Sequence, residues 1–554
     1  VIDKINASFS SNFALNGEVQ QGGAIVNAGV IESITDSSFT GNQAGKLGGA
    51  ILNEINGKIT FNGTNTFAGN IANGVANDIH NKGQIIIADG TTTLGGGVTG
   101  SGILTVTDGA TLSIGSTTLE QGTLNLDGTL SASIVNQNAF GKIKVDNINV
   151  GENGLFDLML GAAGTYDFGT NISVDNIAYN DVIYNVSVDG TNIIVQTKDV
   201  EEVAKTAEIT TDASVVLVGL ANSNDYAMNI ASLNAQSSLA AGNKDYIETE
   251  TAKLRAEDKP VAQSVATSVQ NQVLSVAANR MEGGSNMSTG RSGGDLDNLG
   301  YGVWAQGLVN KAKYSDKFTG DTSGISAGID ALIDGKFTVG IGYAHNETDV
   351  DAKLRDVEIA SDSVFLYGQY KPNKWYLNGT FNYTMANYTE STTAFGITVN
   401  PEYDVDSLGG QIMTGYAFAS GFVPEVGARY LHISQDNYNN GLADISGTNT
   451  DFLTGVAGMK YGFTIEAEGR LKFRPELRAA ATYDFISDEA VAIVTVPGAA
   501  SYRVTGENLS RLGGEFGIGL SAMYNDWVFS INYDLDLHEN YTSQTGMLKF
   551  RYTF

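Results

Sequence analysis

No cysteine occurs among the 554 residues. That excludes disulfide stapling, thiolate catalysis and any Cys-ligated metal. Proline is nearly as scarce, with 6 in the chain and none before Pro260, so nothing interrupts a backbone hydrogen-bond ladder across the N-terminal part. Basic side chains are few: 32 Lys and Arg stand against 61 Asp and Glu, a net charge of −29. A phosphate-rich partner needs a basic footprint, so nucleic acid is excluded, and anionic lipid would not attract such a surface. The four histidines, His80, His345, His432 and His538, have no metal-ligand spacing. No apolar run approaches the ~18 residues of a transmembrane helix. A β-barrel escapes that test, because it crosses with strands of ~9–11 alternating residues. The chain opens "VIDKIN", without a charged n-region or apolar h-region, so any secretory signal is expected to be already removed or to lie upstream.

What is abundant is glycine (67), tyrosine (24) and phenylalanine (23), a profile of β-structure with many tight turns. The chain ends "GMLKFRYTF", where Leu548, Phe550, Tyr552 and Phe554 alternate with Lys549, Arg551 and Thr553, and Met547 alone is out of phase. Trp527, Phe529, Ile531 and Tyr533 repeat the pattern against Ser530, Asn532 and Asp534. So do Leu477, Tyr483 and Phe485 against Arg474, Glu476 and Arg478. A face that charged does not suit a packed core, and a face that aromatic does not suit water. We read twelve such strands between about 299 and 554. Short turns are expected at Asp334-Gly335, Pro372-Asn373, Ser420-Gly421, Ala467-Gly469 and Asn525-Asp526. Long polar loops are expected near 315–321, 346–358, 390–403, 436–449, 486–507 and 539–545. Alternating loop length and an even strand number predict a closed antiparallel transmembrane barrel. A polar lumen would be lined by Arg474, Glu476, Arg478, Arg511, Glu515 and Arg551.

From 199 to 298 the β-pattern stops, and this stretch reads as a mostly helical linker. Residues 258–281 predict a helix with Val261, Val265, Val269, Val273 and Val276 in a narrow stripe and Gln, Ser, Thr and Asn elsewhere. It is long enough to cross a bilayer's apolar core, on the order of 33 Å, and too polar to face lipid. Either it occupies the barrel lumen as a pore helix, or it is a periplasmic helix or one packed beside the β-domain. The helical stretches around 201–222 and 224–241 read as linker.

Residues 1–198 carry a repeat. "SFSSN", "SFTGN" and "TFAGN" share a Phe-x-x-Asn core, supplying Phe9, Asn12, Phe39, Asn42, Phe67 and Asn70. "GGAIVN" and "GGAILN" supply Gly22, Gly23, Gly48 and Gly49, and "ANDIHN" (76–81) is a degraded third copy. Spacings in the range of 20–50 residues built from short β-runs indicate a solenoid whose rungs bury one another's apolar faces. Phe would stack inside, and Asn would form ladders at turns. The expected fold is all-β: a right-handed parallel β-helix, a helical linker, and a twelve-stranded antiparallel barrel holding a helix in its pore.

That order resembles the autotransporters, secreted by the type V route, through the 258–281 segment, "RPELRAAATYDF" (474–485), "SRLGGEFGIGL" (510–520) and "LKFRYTF" (548–554). The resemblance implies a barrel in outer-membrane lipid and a β-helical passenger displayed on the cell surface. It further implies a C-terminal signal, Leu548, Phe550, Tyr552 and Phe554, that the barrel-assembly machinery reads. The last part of 1–198 occupies the place of a folding-nucleating segment. The GGAI and FxxN repeats look like those of the polymorphic outer-membrane proteins, whose passengers are adhesins binding host or neighbouring-cell ligands, although a Gly turn and a stacking ring also account for them. Self-cleaving relatives use adjacent asparagines; here "SVAANRMEGG" has Asn279 alone. No strand-to-helix nucleophile elbow is evident, and no cofactor, metal or catalytic residue is expected. Two other readings stay open: the stalk of a larger passenger with an enzymatic domain upstream, and a plugged outer-membrane channel.

Overall fold

The computed structural model describes residues 1–15, 20–255, 299–315, 317–467, 471–506 and 508–554. The segment 258–281, with its five valines and Asn279, lies outside the described residues. The chain forms two compact units, one built on Val1–Thr251 and one on the strands from Leu299 onward.

The first unit is a stack of parallel strands. One sheet pairs Ser8–Ser10, Ser38–Thr40, Thr64–Ala68, Thr91–Leu94, Thr111–Gly115 and Thr129–Asn136 in succession. A second places Ile25, Ile51, Ile79 and Val98 directly above one another. Apolar side chains point inward at every rung, with Phe39, Ile51, Phe61, Leu104, Leu112 and Leu130 fully buried. The two glycines of each GG pair have separate reasons. Gly22 and Gly48 sit at φ +63° and +65°, where a side chain is strained. A Cβ on Gly23 would lie 2.1 Å from the Gly49 carbonyl oxygen, and one on Gly49 would lie 2.4 Å from that of Asn77.

Helices Val200–Ala207, Thr211–Asn222 and Tyr226–Ala240 belong to this unit and are packed elements, in contrast to the linker read from sequence. Val216, Leu217, Val218, Leu220, Met228, Ala231 and Ala235 are buried. Asn222 Nδ2 donates to Thr197 Oγ1 at 3.1 Å, and the Tyr184 hydroxyl lies 3.1 Å from Ser232 Oγ. A solenoid end exposes unpaired apolar rungs, and these helices cover them.

The second unit is a closed antiparallel barrel of twelve long strands. Leu299–Tyr314 pairs with Tyr541–Thr553, closing the sheet in register from Gly302↔Thr553 to Tyr314↔Tyr541. Phe554 and Tyr301 exchange backbone hydrogen bonds at 2.9 and 3.3 Å, so both chain ends of the barrel meet at the short-turn rim. Burial alternates along each strand. Leu548 and Phe554 stand 65% and 60% exposed on the outer face, beside Phe529, Ile531, Leu477 and Phe381. Met547, out of phase in the sequence, faces the lumen against Trp304, Leu308, Ala344, Phe365 and Tyr367.

The outer connections differ from the expected long loops. The strands run on, to 20 residues in Trp375–Ala394, leaving only a few residues around 315, 353 and 539 to turn. The two long stretches near 436–449 and 486–507 fold into a small antiparallel sheet of Tyr438–Asn439, Asp444–Ile445, Val491–Thr495 and Tyr502–Thr505. Ile445, Ala492, Val494 and Val504 are buried in it.

Candidate functional site

Two polar constructions stand out, one in each unit. In the solenoid, the repeat asparagines form two ladders. Asn12 donates through Nδ2 to Asn42 Oδ1 at 2.7 Å, Asn42 to Asn70 at 2.9 Å, and Asn70 to Asp78 Oδ1 at 2.8 Å. In the second, Asn27 donates to Asn53 and Asn53 to Asn81, each at 2.8 Å, and Asn81 donates to Gln121 Oε1 at 2.6 Å. Buried amides are costly unless bonded, and stacking in register lets each amide serve the next. Beside them Phe9, Phe39 and Phe67 stack with centroids 4.7 and 4.5 Å apart and rings within 7° of parallel. Eight of the ten repeat residues therefore act in rung stacking, the three Phe, the three Asn, Gly23 and Gly49, while Gly22 and Gly48 shape the turn.

Asp78 is the residue that sequence reasoning missed. It occupies, in the third rung, the place of Ala24 and Ala50, and it ends the first ladder by accepting from Asn70 and, at 2.6 Å, from the Gly96 N–H. Burial pushes its carboxyl up to about 6, against the downward pull of those hydrogen bonds. The signal was available: an acid in a column otherwise filled by alanine.

In the barrel, one wall carries alternating charges. Glu425 accepts from Lys460 Nζ at 2.7 Å, Arg478 Nε at 2.9 Å and the Tyr376 hydroxyl at 3.0 Å. Glu515 accepts from Arg478 Nη1 at 2.7 Å and is clamped by both terminal nitrogens of Arg429. Glu425 and Lys460 are only 1% and 7% exposed at the side chain. Of the six lumen candidates, Arg478 and Glu515 belong to this cluster. Arg474 and Glu476 pair with each other at 3.3 Å. Arg551 reaches Asp330 at 3.2 Å, which also accepts from Tyr367 at 3.0 Å. Arg511 stands apart: it is exposed, and its guanidinium lies 3.4–3.5 Å from the carbonyls of Asp484 and Phe485. Its place at a strand start, outside the alternating stretch, accounts for the difference. Each central carboxylate is held by two cations, an arrangement that holds a polar wall in place and leaves no free base.

The histidines fall into ordinary roles. His345 Nδ1 lies 2.8 Å from Asp362 and His432 Nδ1 lies 2.9 Å from Asp451. The tyrosine two residues earlier on the same strand, Tyr343 or Tyr430, donates to the same aspartate. His538 Nδ1 lies 2.7 Å from the Ser510 carbonyl, and His80 Nδ1 is 2.9 Å from Thr99 Oγ1. Among the described residues no cluster of His, Asp and Glu is arranged to hold a metal ion.

Residues 303–534 match the family model described as the autotransporter beta-domain. Outer membrane protein A of Rickettsia rickettsii is 24% identical over 327 residues, 53% of this chain and 14% of that protein. Outer membrane protein B of Rickettsia japonica is 24% identical over 587 residues, 92% of this chain and 32% of that protein. The chain thus spans less than a third of the length of these curated relatives. Among solved structures, the translocator domain of autotransporter NalP from Neisseria meningitidis is 16% identical, covering 54% of this chain and all of that one at a TM-score of 0.42. With a barrel matched over most of its strands and relatives named as outer membrane proteins, residues 303–534 form an autotransporter beta-domain, and the comparisons support a type V autotransporter of the bacterial outer membrane.

Proposed function

We propose that the barrel delivers and anchors the solenoid as a surface passenger, and that the passenger is an adhesin. The observation that carries the reading is the form of the solenoid itself. Its repeat residues are spent on stacking, leaving long register-locked outer faces, and its one histidine, His80, is held against Thr99 Oγ1 of the next rung. Such faces bind through many weak contacts, which avidity makes strong. On this reading the chain is not an enzyme. Leu548, Phe550, Tyr552 and Phe554 are the segment that the barrel-assembly machinery reads, and outer-membrane lipid covers the apolar face they share. In support, Phe550 and Tyr552 pack on Trp527 with ring centroids 4.9 and 4.4 Å apart, which fixes the last strand to its neighbour.

The test is protease shaving of intact cells, with one epitope beside Asn62 and another near the C-terminus. The expected result is loss of the first and survival of a barrel fragment carrying the second. Protection of the Asn62 epitope until the outer membrane is permeabilised would place the solenoid on the periplasmic side and favour a plugged channel. Transfer of attachment to a non-adherent host strain then tests the adhesive part.

A further inference from the structure

The Phe-ladder sheet has an outer face unlike the rest of the chain. Over six consecutive strands its outward positions form two straight columns. The first is Ser8, Ser38, Thr66, Thr93, Ser113 and Ser131; the second is Thr64, Thr91, Thr111 and Thr129. Each residue lies directly opposite the next in the register, and the irregularity between the strands of Ser113 and Ser131 falls after Ser113. Strand geometry sets the columns about 7 Å apart and their members about 4.8 Å apart, so the longer column runs for about 24 Å. All ten residues are at least partly exposed. Internal hydrogen bonds among them are few: Ser38 donates to Ser8 at 2.9 Å, and Ser131 reaches Asp157 at 3.5 Å.

These ten residues are uncharged, although 17% of the chain is charged; the register carries the first column on from Ser131 to Asp157, an acid that marks its end. The outer face of the second sheet differs, with Lys58, Glu120, Lys142 and Lys144 among its outward residues. Exposed Asp89, Asp108 and Asp127 sit at the turns that lead into the hydroxyl-bearing strands, and they would repel a polyanion. A protein partner would look for Trp, Tyr or Arg anchors, whereas Ser and Thr are under-represented among binding hot spots. The columns have no such anchors. What they offer is a flat, neutral, repeating array of hydroxyl and methyl groups, complementary to an extended polymer that is itself uncharged, hydroxyl-rich and repetitive.

We propose that this face is the passenger's ligand surface and that its ligand is a neutral linear polysaccharide laid along the columns. The assignment rests on the adhesive reading above and names its substrate class. Each rung contributes a weak hydrogen bond and a methyl contact, and affinity rises with the number of sugar units engaged.

The experiment uses the full chain displayed on cells, probed with an array of neutral, anionic and cationic glycans of graded length. Thr93→Arg with Ser113→Arg blocks the face, and Thr66→Val with Thr93→Val removes hydroxyls while keeping shape and strand propensity. Gln84→Arg on the second sheet serves as control, and surface shaving confirms that each variant is displayed. The expected result is length-dependent binding of a neutral glycan, lost at least tenfold in both face variants and retained in Gln84→Arg. Binding of anionic glycans only, or of no glycan, overturns the proposal. So does neutral-glycan binding that both face variants leave intact. If the face variants abolish cell–cell clumping in the absence of glycan, the face pairs copies of this chain, and the proposal again falls. Attachment of wild-type cells to a host surface, undiminished in the face variants, removes this ligand surface while leaving the adhesive reading standing. Absence of any attachment removes both.

Discussion

At the scale of single residues, the solenoid's stability is concentrated in side chains that meet their own copies. Phe39 is fully buried between Phe9 and Phe67. Phe39→Ala is expected to cost about 3–5 kcal/mol in denaturant unfolding, and Phe9→Ala less, because Phe9 is half-buried. Asn53 both donates and accepts within its ladder; Asn53→Ala leaves Asn27 Nδ2 with only the Gly29 and Lys58 carbonyls and Asn81 Oδ1 with only the Gly83 N–H, at an expected cost of about 1–3 kcal/mol. Asp78 gives a pH dependence whose sign follows from its raised carboxyl. An acid of ordinary value 3.8 that is raised to about 6 in the fold binds its proton more readily folded than unfolded. Stability therefore rises as pH falls from about 7 to about 4, by on the order of 3 kcal/mol, and the gain disappears as pH climbs back through about 6. Passenger melting temperatures at pH 5 and pH 7.5 check this. The difference should vanish in Asp78→Asn, which cannot ionise and turns an amide towards one of the two donors. The repeat motifs were legible in the sequence because Phe-x-x-Asn and Gly-Gly recur with their chemistry intact. Asp78 was harder to find, its one signal being an acid in the alanine column, because the third copy had drifted and the ladder changes column at that point.

At the scale of elements, the barrel's twelve strands were legible through period-2 alternation, and Met547, the one exception, marks where an apolar cluster enters the lumen. Loop lengths were less legible. Polar residues such as Asp349, Glu347 and Glu358 read as loop, yet they continue strands of ordinary register beyond the aromatic band, where polar residues suit a paired strand as well as a loop. The linker helices were recognised as helices but not as packed ones, although "SVVLVGLA" (214–221) is apolar all round, the mark of a buried helix. Two strand-level predictions follow from the lumen. A Cβ on Gly340 would lie 2.2 Å from the Tyr367 ring. Gly340→Ala should therefore displace Tyr367 from Asp330 and Trp304 and lower the temperature at which the folded barrel unfolds in detergent gels, a cost of about 1–3 kcal/mol. Glu425→Gln leaves Lys460 and Arg478 sharing one carboxylate fewer, with an expected cost of about 3–5 kcal/mol by the same assay. Glu425→Gln with Lys460→Met should recover part of that loss.

At the scale of the whole molecule, the two units are stabilised by different arithmetic. A closed barrel has no edge, and its strands form or fail together. A solenoid is close to a sum of rungs, each contacting only its neighbours. Between Asn42 and Asn70 one rung takes 28 residues, folded into a rise of only about 4.8 Å along the stack. A surface protein that holds a ligand is loaded in tension, and this geometry makes the solenoid a store of length. Peeling one rung releases on the order of 90 Å of chain at the cost of one rung's contacts, without touching the next. Under a pulling force the passenger should yield in regular steps and re-form when slack returns. On the proposed adhesive reading, a bacterium tethered in flow would then meet a sudden load with extension before its bond to the surface breaks.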